Sequence, residues 1–163
     1  MRRLVTGSIL IAVLGLSALE AQTIFIARHA ERTGEPDPPL NEEGQRRAEA
    51  LARLLTDAGV YYFYSSDTLR ARQTAEPLAR RANRPVEAVP QAECDQLIAR
   101  IRKTAHPERP TLVIGHRQSV PRIVKALGGG DIPELRSDEH DRLIVLTMLP
   151  GGRASALTLR YAP

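Results

Sequence analysis

The sequence predicts an α/β domain of three layers, α/β/α, with a mainly parallel central sheet and an antiparallel hairpin at one edge. Three observations carry that expectation. Apolar runs of strand length alternate with stretches of helical period. The turn residues Pro150-Gly151-Gly152 separate two late strand segments, as in a hairpin. The chain's 163 residues suit one domain, with no repeat or linker dividing them.

Taken in order, residues 23–28 (TIFIAR) read as the first strand. Asn41 to Asp57 reads as an amphipathic helix, with Ala48, Leu51, Leu54 and Leu55 on one face and Gly59 ending it. Val60 to Ser65 is the second strand, and its Tyr61-Tyr62-Phe63-Tyr64 run alternates, half into the core. A helix over Leu69 to Ala82 precedes a short strand, Val86 to Val89. A helix over Glu93 to Lys103 and a strand over Thr111 to Gly115 follow. Pro121 to Leu127 is helical and stops at three glycines, and Leu143 to Met148 and Ser155 to Leu159 form the hairpin.

The first 21 residues differ from the rest. Arg2 and Arg3 form a basic start, residues 9–16 (ILIAVLGL) a short apolar core, and Ser17 to Ala21 a small-residue cleavage region. Spanning a bilayer takes about 20 apolar residues, so a cleaved secretory signal is the better reading. Cleavage after Ala21 is preferred, with Ala18 as the alternative, leaving a domain over 22–163 in the periplasm or outside the cell. Removing Arg2, Arg3 and Glu20 takes the formal charge from +4 to +3.

That charge is almost all arginine and is spread along the chain, which argues against a nucleic-acid stripe. Cys94, the one cysteine, has no partner for a disulfide and reads as a semi-buried helix residue. His106 reads as a solvated turn residue, and His140, in SDEHD, as a rim or loop residue.

In open parallel sheets, ligands bind beyond the carboxyl ends of the strands. Those ends carry Arg28-His29, Ser65-Ser66-Asp67 with Arg70 just behind, and Gly115-His116-Arg117. Histidines and arginines crowded on one rim repel one another unless an anion sits among them. Phosphate suits the set: arginine forks hold its oxygens, and a neutral histidine offers a nucleophilic nitrogen. Fixed guanidinium groups neutralise charge without a metal, and no acidic pair follows a strand to hold one.

ARHAER with the following PPLNEEGQRRAEALA, then SSDTLRARQTAEPLA, TLVIGHRQSVPRIVKALGG and DRLIVLTM, resemble in order and spacing the motifs of the histidine phosphatase superfamily, the phosphoglycerate-mutase-like enzymes. The resemblance covers nearly all of residues 23–148 and implies the phosphoglycerate-mutase-like fold. It implies that His29 is the nucleophile that becomes phosphohistidine, that Arg28 and Arg70 bind phosphate, and that His116 is the second histidine of the pocket. Arg32 stands where the acid-phosphatase branch has the second arginine of R-H-G-x-R, which implies a phosphate contact, against a plain surface role. Ala30 replaces the more usual glycine, and Glu35 stands near a phosphate-binding asparagine of the mutase branch. Arg117 follows His116 where the acid-phosphatase branch has its aspartate donor. The mutase-type acid falls around Glu93, so Glu93 is the candidate proton donor, with Asp95 and Glu31 behind it, against a solvent-facing helix start.

The expectation is an exported, metal-independent phosphohydrolase without cofactor, acting on phosphate monoesters. The short segments 34–39 and 128–137 imply an open pocket, suited to small molecules or to a phosphate exposed on a larger one. Neither a nucleic-acid partner nor a membrane anchor after cleavage is expected. A mutase-type phosphotransferase and a non-catalytic phosphate-ligand binder are the alternatives.

Overall fold

β1 (Gln22–Arg28) lies inside the sheet and is covered on both faces, which explains its unbroken apolar run. The computed structural model describes residues 21–34, 36–104, 106–149 and 153–163. The expected signal segment up to residue 20, Glu35 and the Pro150-Gly151-Gly152 turn lie outside the described residues.

After β1 come α1 (Glu42–Leu54), β2 (Tyr62–Ser66), α2 (Leu69–Arg81), β3 (Glu87–Val89), α3 (Cys94–Lys103), β4 (Thr111–Gly115), α4 (Ser119–Ala126), β5 (Arg142–Met148) and β6 (Ala154–Arg160). The strands form one sheet in the order β3-β2-β4-β1-β5-β6. The first four pair in parallel, whereas β5 runs antiparallel to β1 and β6 antiparallel to β5. This is the three-layer fold with an edge hairpin that the alternation predicts. Among the described residues, no helix is long and apolar enough to cross a membrane.

The strand period of two assigns alternate residues of β1 to opposite layers. Ile24 and Ile26 pack with Leu97, Ile98 and Ile101 of α3 and Val120 and Ile123 of α4. Phe25 and Ala27 pack with Leu51 of α1 and Ala75 and Leu78 of α2. Burying each isoleucine contributes roughly 1.5–3 kcal/mol.

Two details differ from the sequence expectation. Leu54 is 52 % exposed, while Ala48, Leu51 and Leu55 are buried. At about 100° per residue, Ala48 and Leu55 fall on one side of Leu51 and Leu54 on the other, beyond the stripe. In β2 the neighbours Phe63 and Tyr64 are both buried, instead of alternating. The strand lies between β3 and β4, so Phe63 faces the α1–α2 layer and Tyr64 the α3–α4 layer.

The start of α1 is tied to the loop after β1. Asn41 donates its N–H to Glu31 O (3.1 Å), and its side chain caps the helix by accepting from Gly44 N (2.8 Å). A Cβ at Gly44 would lie 2.1 Å from Glu31 O, so only glycine lets the helix approach this closely.

Candidate active site

The parallel strands end on one rim, where Arg28 is level with Gly115. Because β5 runs against β1, the residues just before β5 arrive at the same rim. His29, His116 and His140 meet there. The His29 ring is 5.2 Å from that of His116 and 5.5 Å from that of His140.

His29 is locked through its backbone. Its N–H donates to Gly115 O (3.0 Å), and its carbonyl accepts from His140 Nδ1 (2.7 Å). The next residue, Ala30, donates its N–H to Thr74 Oγ1 (3.0 Å) on α2. The His29 ring contacts Ala30 O through Nδ1 (2.8 Å). A carbonyl only accepts, so Nδ1 carries the proton and Nε2 keeps its lone pair. Burial, reinforced by His116, Arg28 and Arg70, pushes the pKa of His29 down to about 3 despite the opposing bond to Ala30. The ring is therefore neutral at physiological pH, with a free nucleophilic nitrogen.

His116 is buried at the end of β4. Its N–H donates to Ser119 Oγ (2.8 Å), and its Nε2 bonds Ser66 Oγ (2.7 Å), which in turn bonds Thr68 Oγ1 (2.9 Å). Hydroxyls donate or accept, so this short chain serves either tautomer. Burial first, then Arg70 and Arg28, lowers the His116 pKa to about 4.

Each arginine is anchored through Nη1. Arg28 Nη1 faces the carbonyls of Arg136, Ser137 and Glu139 at 3.0, 2.9 and 3.0 Å. Arg70 Nη1 donates to Asp37 Oδ1 at 2.9 Å, and both Asp37 oxygens accept from Leu69 N at the start of α2. The Nε of Arg28 and the Nε of Arg70 are buried without a hydrogen-bond partner among the described residues. Leaving a buried donor unsatisfied costs roughly 1–3 kcal/mol. Two such donors beside two neutral histidines form a site that favours an oxyanion.

Of the residues singled out in the sequence, Arg28, His29, Arg70 and His116 converge here. Arg32 lies close enough to Arg28 to depress its pKa, after burial and Arg117, and its guanidinium bonds Gly34 O. Glu93 ends a 3-10 turn (Gln91–Glu93) at the start of α3. Its side chain makes no hydrogen bond or ion pair among the described residues. Asp95 is engaged by Arg122 at 2.7 Å through both oxygens, and Glu31 by Arg47 at 2.6 Å. Three contributors have no role assigned from the sequence: His140, read as a rim or loop residue, Asp37, and the Ser66–Thr68 pair, of which only Ser66 is placed at the strand end. His140 carried a usable signal, since a strand antiparallel to its neighbours must begin where they end. Asp37, inside a proline-rich loop, carried none.

Residues 24–93 match the histidine phosphatase superfamily (branch 1). The protein histidine phosphatase SixA, solved with tungstate, superposes with a TM-score of 0.66 at 22 % identity, over 85 % of this chain and 97 % of that one. Mycobacterial glucosyl-3-phosphoglycerate phosphatase, solved with inorganic phosphate, superposes with a TM-score of 0.64 at 16 % identity, over 88 % of this chain and 98 % of that one. At these identities the two structures establish the shared fold.

Proposed function

We propose that the chain is a histidine phosphatase, as the family match over residues 24–93 supports, and that it hydrolyses phosphate monoesters through a phosphohistidine at His29. The observation that carries the reading is the His29 ring, neutral and with its Nδ1 proton held by Ala30 O, beside the two unpartnered arginine Nε donors. His29 Nε2 attacks phosphorus, forming the N–P bond as the ester P–O bond breaks. Arg28, Arg70 and His116, with Arg32 at the rim, take up the charge on the three non-bridging oxygens. Glu93, as the carboxylic acid, gives its proton to the leaving alkoxide. Water then attacks phosphorus, its proton returns to Glu93, and the N–P bond breaks to free phosphate and neutral His29. Guanidinium charge serves where a metal otherwise would, so turnover persists in chelator. Two proteins of the same fold, solved with tungstate and with inorganic phosphate, accord with an oxyanion ligand.

Residues 1–21 are read as a cleaved secretory signal that sends the mature chain to the periplasm or beyond. Terminal sequencing of exported protein is expected to begin at Gln22, or at Leu19 if Ala18 is the cut. For the chemistry, turnover of a radiolabelled phosphate ester is stopped with alkali and the protein is mapped. Acid-labile label on His29, absent along with turnover in His29→Ala, is the expected result. Turnover retained by His29→Ala would sink the mechanism, and binding without turnover or label would favour a non-catalytic binder.

A further inference from the structure

Between the ends of β3 and β4 lies a cavity of about 160 Å³ lined by Gln91, Cys94, His116, Gln118, Ser119 and Arg122. His116 belongs to its wall and His29 does not. We propose that this cavity receives the leaving group, and that the group is a small polyhydroxylated carbon skeleton, a three- or four-carbon polyol or sugar. The proposal rests on the hydrolase reading above and supplies the substrate class that reading lacks.

Position comes first. In-line displacement expels the leaving oxygen on the side of phosphorus opposite the nucleophile. The cavity shares His116 with the phosphate site and does not have His29 in its lining, the relation a leaving-group pocket would have. The chain between Gln91 and Cys94 carries Glu93, the proposed acid, along the same edge.

Chemistry narrows the class. The side chains of Gln91 and Gln118 are exposed and make no hydrogen bond among the described residues, and each amide both donates and accepts. Hydroxyl groups have the same dual character. A second anion is disfavoured, because Asp95 grips Arg122 through both oxygens at 2.7 Å and neutralises the cation in this wall. Apart from His116, whose ring is already committed to the phosphate site, the lining has no aromatic ring on which a base or aryl group could stack. Gln91 is also held in place, since its N–H donates to Asp67 Oδ1 at 3.0 Å. The volume corresponds to roughly five water molecules, the scale of a short polyol.

The test compares kcat/KM for glycerol phosphate and erythrose phosphate with that for acetyl phosphate and a phosphohistidine peptide. It uses the wild-type protein, Gln91→Leu and Gln118→Leu. The wild type should favour the polyol esters over acetyl phosphate by about tenfold. Each leucine variant should lower that ratio about fivefold, the effect of losing one or two neutral hydrogen bonds. Both glutamines are exposed, so the variants are expected to fold, which circular dichroism checks. An unchanged ratio in both variants, or a preference for the phosphohistidine peptide, overturns the cavity assignment while leaving the hydrolase intact. No hydrolysis of any of the four compounds overturns the hydrolase, and the cavity assignment with it.

Discussion

Arg28 and Arg142 stand at adjacent ends of antiparallel neighbours, yet only Arg142 is enclosed by carboxylate. Arg142 bonds both oxygens of Glu139 at 2.7 and 2.9 Å, and Pro133 O at 2.6 Å. Glu139 also accepts from Arg160 at 2.9 Å, and Arg160 pairs with Asp141 at 2.6 Å. Burial acts to raise the Glu139 pKa, but bonds from Arg142, the Arg136 N–H and Arg160 prevail and hold it near 2. Arg28 instead meets only neutral carbonyls through Nη1, and its Nε has no partner. Carbonyls orient a guanidinium without cancelling its charge. Arg142 is therefore fixed into the fold by carboxylate, whereas Arg28 keeps its charge uncancelled by any bonded carboxylate at the rim where the anion is proposed to bind.

The largest test of that contrast is Glu139→Ala. It leaves Arg142 buried without its counter-charge and should cost about 3–5 kcal/mol. Thermal denaturation should show a Tm drop on the order of 10 °C. Next is Arg70→Ala, which should lower kcat/KM by roughly 10² to 10³ with little loss of Tm. Inorganic phosphate at about 100 times Kd should stabilise the wild type by about 2.7 kcal/mol and Arg70→Ala much less. Equal stabilisation of both proteins would mean that Arg70 does not bind the anion.

Protonation gives the next effect. In the unfolded chain the histidines take up protons near pH 6.5, whereas in the fold His29 and His116 stay neutral down to about 3 and 4. As pH falls through that window the unfolded state binds more protons, so the histidine contribution to stability must fall and then level off below about 3, while Glu139 adds its own loss below about 4.5. Between pH 6.5 and 5.5 the loss should be about 1 kcal/mol per histidine, and less in His116→Ala. Stability that rises on acidification would contradict neutral histidines at this rim. The smallest effect is Asp37→Asn, which weakens the grip on Arg70 and should reduce kcat/KM about tenfold, from the loss of one charged bond.

The site's four central residues were legible because each directly follows or opens an element whose period the sequence displays. Ala27-Arg28-His29 ends an apolar strand, Gly115-His116 ends another, and Arg70 opens a helix. Knowing that parallel strands end on one rim was enough to gather them. His140 needed one further step, the direction of β5, and its partner His29 lies 111 positions away. The carbonyls that orient Arg28 are 108 to 111 positions away. Nothing local distinguishes an arginine that will meet carboxylates from one that will meet carbonyls.

The sequence by itself determined the layer order, the buried strands and the histidine–arginine rim, because hydrophobic period and strand-end position are local properties of the chain. Only the tertiary structure decided which arginines are neutralised, that Asp37 holds Arg70, and that Leu54 faces solvent. It also showed that β2 is covered on both faces. Those outcomes depend on which distant segments pack together, and burial makes each polar partner there worth a kilocalorie or more.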